Sequence, residues 1–175
     1  SKDAAILTTL EPGSYTAQVS DLSGTGTGVA LAEIYDASVN PTADYQRLVS
    51  IASRGTVSLG DGALIGGFVV VGNAPKTLLI RGIGPTLTRF GLVGALADPV
   101  LTIYQDGEAI ATNAGWANLD EITTAGAQAG AFALAAGSRD AALLVTLKPG
   151  SYTAQVKAAQ SASSGVALIE IYEVP

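Results

Sequence analysis

The chain contains one stretch of its own sequence twice. Ser138 to Glu173 reads SRDAALLVTLKPGSYTAQVKAAQSASSGVALIEIYE, and Ser1 to Asp36 reads SKDAAILTTLEPGSYTAQVSDLSGTGTGVALAEIYD. The two align without a gap at a constant offset of about 137 residues, with about 22 of 36 positions identical. Such self-similarity marks a repeat architecture, in which each unit packs against its neighbours. It divides the chain into three parts. Residues 1–36 are the closing strands of a preceding module, or strands that complement another one; 37–46 form a linker; 47–175 form a complete module.

Each copy reads as a β-hairpin followed by a third strand. Tyr152, Ala154 and Val156 alternate with Thr153 and Gln155, the two-residue period of a strand with one buried face, and Tyr15, Ala17 and Val19 repeat it. Pro12-Gly13 and Pro149-Gly150 precede these runs; proline fixes φ at the second turn position and glycine accepts positive φ at the third. The strands leading in, Ala4 to Leu10 and Ala141 to Leu147, are apolar apart from their threonines and are expected to be central. Tyr15 and Tyr152 stand two residues after the turn glycine, a placement resembling the tyrosine corner of β-sandwiches. In the third strand Ala167, Ile169 and Ile171 share one face, and the other is apolar except for Glu170, so both faces need cover.

The rest of the complete module continues the β pattern. Leu48 to Ala52, Ala63 to Val71 and Thr77 to Arg81 read as strands, with Gly66-Gly67 suggesting a bulge or a close backbone approach. Val100 to Tyr104 and Glu108 to Thr112 form a hairpin around Asp106-Gly107. Asn118 to Gln128 is the one helix expected, with Asn118 as its N-cap and Asp120 and Glu121 in its first turn. Ala131 to Leu134 is expected to return to β. The fold class is therefore all-β, a β-sandwich or jelly-roll-like module with one short helix, preceded by an extra hairpin plus strand.

Composition narrows the function. With no Cys and no His, the chain has no disulfides, no thiolate metal site and no imidazole base, so no catalytic residue, cofactor or metal site is expected. Net charge is −6 and the nine Lys and Arg are scattered, which excludes a basic stripe for nucleic acid. No apolar run approaches the length of a membrane span. Ser1 follows neither an initiator methionine nor a signal-peptide layout, so a processed chain or a piece of a longer one is expected. Asp61, Asp106, Asp120 and Glu121 stand in or near turns without calcium-loop spacing and read as solvated acids. The Arg81-Gly82-Ile83-Gly84-Pro85 loop completes neither GxGxxG nor a P-loop, and Arg81, Arg89 and Asp98 read as structural ion-pair partners.

Two surfaces remain as candidates. The first is an assembly interface on the N-terminal copy, made of Leu7, Leu10, Tyr15, Val19, Val29, Leu31, Ile34 and Tyr35, whose partners are copies of the chain in a homopolymer or tandem array. The second centres on Trp116, the single tryptophan, with Asn113, Asn118 and Asp120. An indole beside amides and a carboxylate is either a sugar-stacking platform, with polysaccharide as the partner, or a plug closing one end of a sandwich; the plug is the commoner fate.

The strings LLIRGIGPTLTRFGLVGALADPVLTIYQDGEAIATNAGW, GSRDAALLVTLKPGSYTAQV and SGVALIEIYE resemble repeat modules of large secreted or surface proteins of environmental bacteria. In those proteins a YTAQV-type hairpin ends one module and a stretch like RLVSIASRGTVSLGDGALIGGF opens the next, the order found here. The resemblance implies a secreted or cell-surface location and tandem repetition, and brings no catalytic or binding residues with it. The expected role is thus an extracellular structural module assembling head to tail by strand complementation, with a carbohydrate-binding or adhesive module as the alternative.

Overall fold

The computed structural model describes residues 4–26, 28–37, 48–60, 62–160 and 163–174. Nearly all of the expected linker, and Asp61, lie outside them. The chain divides into two units, Ser1–Leu48 and Val49–Pro175.

The second unit is a β-sandwich of two four-stranded antiparallel sheets. Its strands are β1 (Ser50–Val57), β2 (Leu64–Val70), β3 (Lys76–Ile83), β4 (Pro99–Gln105), β5 (Glu108–Asn113), β6 (Ala141–Leu147), β7 (Gly150–Ala158) and β8 (Gly165–Glu173). One sheet has the order β1-β8-β3-β6 and the other β2-β7-β4-β5. Alternation decides which residues enter the core. Tyr152, Ala154 and Val156 of β7 face Ile80 of β3 and Ala167, Ile169 and Ile171 of β8 in one buried cluster.

A third layer covers the outer face of the β1-β8-β3-β6 sheet. It comprises a 3-10 helix, Pro85–Phe90, the helix α1, Asp120–Gln128, and the irregular chain around α1. Leu87, Trp116, Ile122, Ala125 and Leu134 pack there against Leu79 and Ile83 of β3 and Ala142 of β6. This layer explains why β3 is buried on both faces, and it supplies the second cover that the sequence of β8 demands. The sharp exit from β3 requires Gly84, where a Cβ would sit 2.0 Å from the Leu96 carbonyl oxygen. Asp106 (φ 51) and Gly107 (φ 84) form the tight β4–β5 turn, as the Asp-Gly pair dictates.

Several expectations need correction. The element Ala141 to Glu173 is not a same-sheet hairpin plus a strand, because β6, β7 and β8 alternate between the two sheets. Pro149-Gly150 is a corner from one sheet to the other. There the Tyr152 hydroxyl donates to the Lys148 carbonyl at 2.8 Å, a local bond that fixes the corner. β6 is an edge strand, not a central one; its apolar character comes from the covering layer on one face and the sandwich core on the other. Ala131 to Leu134 forms no strand and instead caps the outer layer through Phe132 and Leu134. Asn118 does not cap α1: it has φ 55, the helix begins after Leu119, and the Asn118 Oδ1 accepts the Gly137 N–H at 2.8 Å. Gly66-Gly67 makes no bulge, since the β2–β7 register is continuous.

In the first unit, no strand forms among the described residues. A bend stands at Pro12-Gly13, and Leu22 to Thr25 turn around Asp21. The Asp21 carboxylate accepts from the Ser23 hydroxyl, and from the Ser23 and Gly26 N–H groups at 3.0 Å each. These bonds hold the Asp21 carboxyl below its usual pKa, the Ser23 hydroxyl contributing most.

Candidate assembly surface

The eight residues assigned to an assembly interface can be compared one by one with their counterparts in the second copy. Leu10 is 50% exposed against 8% for Leu147, Tyr15 58% against 5% for Tyr152, Val19 60% against 0% for Val156, and Ile34 51% against 6% for Ile171. Leu7, Val29, Leu31 and Tyr35 are likewise exposed, whereas Leu144, Val166, Leu168 and Tyr172 are half-buried. Burying one such side chain stabilises by about 1.5–3 kcal/mol, so the first copy leaves on the order of 10 kcal/mol of burial unused. That is large beside the net stability of a domain.

Among the described residues, the first copy keeps two local tyrosine bonds of the second. The Tyr15 hydroxyl donates to the Glu11 carbonyl at 2.7 Å, reproducing the corner bond of Tyr152. The Tyr35 hydroxyl donates to Glu33 Oε1 at 2.9 Å, reproducing Tyr172 to Glu170 Oε1 at 3.0 Å. Bonds spanning two or four residues survive in both copies. Among the described residues, the strand-to-strand ion pair at Glu170 has no equivalent at Glu33.

The most consequential distant bond is at Glu170. This carboxylate and Arg81 of β3 are both buried, and the guanidinium donates through Nε at 2.8 Å and through Nη2 to Glu170 Oε2. The remaining nitrogen, Nη1, donates to the Phe132 carbonyl at 2.6 Å, and the Phe132 ring lies 4.5 Å from the guanidinium carbon. The pair therefore ties β3, β8 and the outer layer together, each guanidinium nitrogen having an acceptor. Tyr172 completes the cluster. Burial, with the Glu170 charge beside it, pushes its hydroxyl up to about 12.

A second buried polar cluster lies at Asp140. Its carboxylate accepts from the Gly84 N–H at 2.8 Å, the Thr86 N–H at 3.2 Å, the Thr86 hydroxyl and the Ser138 hydroxyl at 2.5 Å. Trp116 joins it: the indole N–H donates to Ser138 Oγ at 3.1 Å and its backbone N–H to the Asp140 carbonyl at 2.7 Å. Ser138 is thus committed to Asp140 and the indole, and the cluster pins the β3 exit loop to the start of β6. The counterparts Ser1 and Asp3 lie outside the described residues.

The Trp116 group does not converge on a surface. The indole is buried in the outer-layer cluster and presents no open ring face. Asn113 Oδ1 accepts the Ala142 N–H at 3.1 Å, Asn118 is committed to Gly137, and Asp120 stands exposed in the first turn of α1. Of the expected ion-pair partners, Arg81 meets Glu170, and Asp98 meets Arg139 at 2.5 Å. Among the described residues no group of three or more Asp and Glu is placed to hold a metal, and no helix is long and apolar enough to cross a membrane. The Arg81–Glu170 pair escaped the sequence reading because 89 positions separate its partners. Two signals pointed to it: one acid in an otherwise apolar strand, and one arginine ending another.

Comparison with solved structures finds similarity to the pre-peptidase C-terminal domain of a collagenase from Bacillus anthracis. The TM-score is 0.42 and the identity 13%, over 70% of this chain and 89% of that one. No protein-family model and no curated protein matches the chain.

Proposed function

We propose that the chain is a structural unit of an extracellular array of like β-sandwich modules, joined by strand complementation through residues 1–36. The observation that supports this is the contrast between two stretches identical at about 22 of 36 positions. One is folded into a sandwich as β6, β7 and β8, and the other holds the same apolar residues exposed. β7 and β8 are interior strands, with neighbours on both sides. A replica of them therefore cannot simply extend a sheet edge; it needs flanking strands of the β1–β5 kind to fill both of its sides. The secreted or surface location belongs to the same proposal and is supported by the resemblance of strings such as LLIRGIGPTLTRF and SGVALIEIYE to modules of secreted or surface proteins.

The test is to extend the full chain at its N-terminus with a second copy of residues 49–137, followed directly by Ser1. The added strands should close with the first copy into a second sandwich. Amide hydrogen exchange in 4–35 should slow well beyond its rate in the unextended chain, and Leu31→Asp should abolish the gain. Unchanged exchange in 4–35 of the extended chain would refute complementation.

A further inference from the structure

We infer that the strands completing residues 1–36 belong to a related but non-identical module, one with a buried arginine on its β3-type strand and a side chain larger than glycine where this module has Gly66. This inference rests on the complementation reading and specifies its partner.

The arginine follows from Glu33. In the second copy the equivalent carboxylate is buried and gives one oxygen to Tyr172 and the other to Arg81. In the first copy the tyrosine half is already assembled, since Tyr35 donates to Glu33 Oε1, and among the described residues no ion pair engages Glu33. Any frame that closes over this stretch buries Glu33 at a β8 position. A carboxylate buried there without a cation is strongly unfavourable. The geometry selects guanidinium over ammonium, because Arg81 must reach Glu170 with two nitrogens while a third holds the Phe132 carbonyl beneath a ring.

The larger side chain follows from position 32. Ala32 stands where the second copy has Ile169, which is buried in the middle of the sandwich. Across the core from Ile169 is Gly66 of β2: a Cβ built there meets Ile169 Cγ2 at 3.4 Å, and Ile169 Cδ1 and Ile171 Cδ1 at 3.8 Å. Gly66 and Ile169 are thus a matched pair of small and large. Setting Ala32 opposite glycine would leave a cavity, whereas Ala32 opposite a branched side chain restores the volume. This module's β1–β5 frame consequently prefers its own β6–β8 to the first copy of a neighbour. Identical chains are kept from exchanging strands, and the array keeps its order.

The extended chain described above separates this inference from the reading beneath it. If 4–35 gains no protection at all, complementation itself fails. Given closure, Gly66→Val in the added frame should raise protection of 4–35 roughly tenfold, by filling the space over Ala32. The same substitution in the original frame should lower protection of 141–173 roughly tenfold, through overpacking against Ile169. Effects of the same sign in both frames would overturn the inferred match. For the arginine, Glu33→Ala and Arg81→Ala in the added frame should each open 4–35, and the double variant should lose much less than the product of the two. Independent, multiplicative losses would overturn the pairing.

Discussion

The two copies share most of their residues and their two local tyrosine bonds, yet one is woven into two sheets and the other forms no strand among its described residues. The difference lies in what surrounds them. The second copy finds β1 and β3 on either side of β8, and β2 and β4 on either side of β7. A strand's sequence specifies which face it wants buried; only its neighbours supply the ladder and the cover.

Equivalent substitutions in the two copies put that contrast to measurement. The largest difference is expected at the buried carboxylate. Glu170→Ala strands the Arg81 guanidinium and should cost about 3–5 kcal/mol in denaturant unfolding of the sandwich, whereas Glu33→Ala should fall within about 0.5 kcal/mol. Equal effects would mean that the first copy is closed in the chain by itself. Next comes core volume. Leu147→Ala should cost about 2–4 kcal/mol and Leu10→Ala close to nothing, read from the same unfolding curves.

The smallest contrast is in alkaline pH. The raised Tyr172 hydroxyl means that the unfolded chain loses this proton first, so its stabilisation is complete below pH 10 and disappears as pH rises toward 12. Tyr172→Phe should flatten that decline in pH-dependent melts. Tyr35 is also raised, chiefly by its hydrogen bond to Glu33, but its partner is two residues away; Tyr35→Phe should leave the sandwich's pH profile unchanged.

Much of this fold was legible because it is locally encoded. The alternation in Tyr152 to Val156, the Asp106-Gly107 turn and the apolar runs of β2 and β3 each carry their structure within a few residues. Sheet assignment was not legible: a Pro-Gly corner between sheets and a Pro-Gly hairpin turn look alike, and Pro149-Gly150 is a corner only because β6 and β7 pair in different sheets. Nor could the apolar stretch Ala141 to Leu147 reveal that its second cover is a layer of loop and helix instead of another strand. For the candidate surface, the repeat located the eight apolar positions. What sets Glu33 and Ala32 apart is visible only against the buried Glu170 and Ile169 of the folded copy.

The strand order also has a consequence for how such a chain is made. β1 and β3 are joined in their sheet only through β8, and β2 and β4 only through β7. During synthesis from the N-terminus, β4 and β5 can pair early, but the rest of a module stays unzipped until its final three strands emerge. Each module is thus a clasp whose fastener is translated last. Until then the emerging sandwich carries one open, aggregation-prone segment.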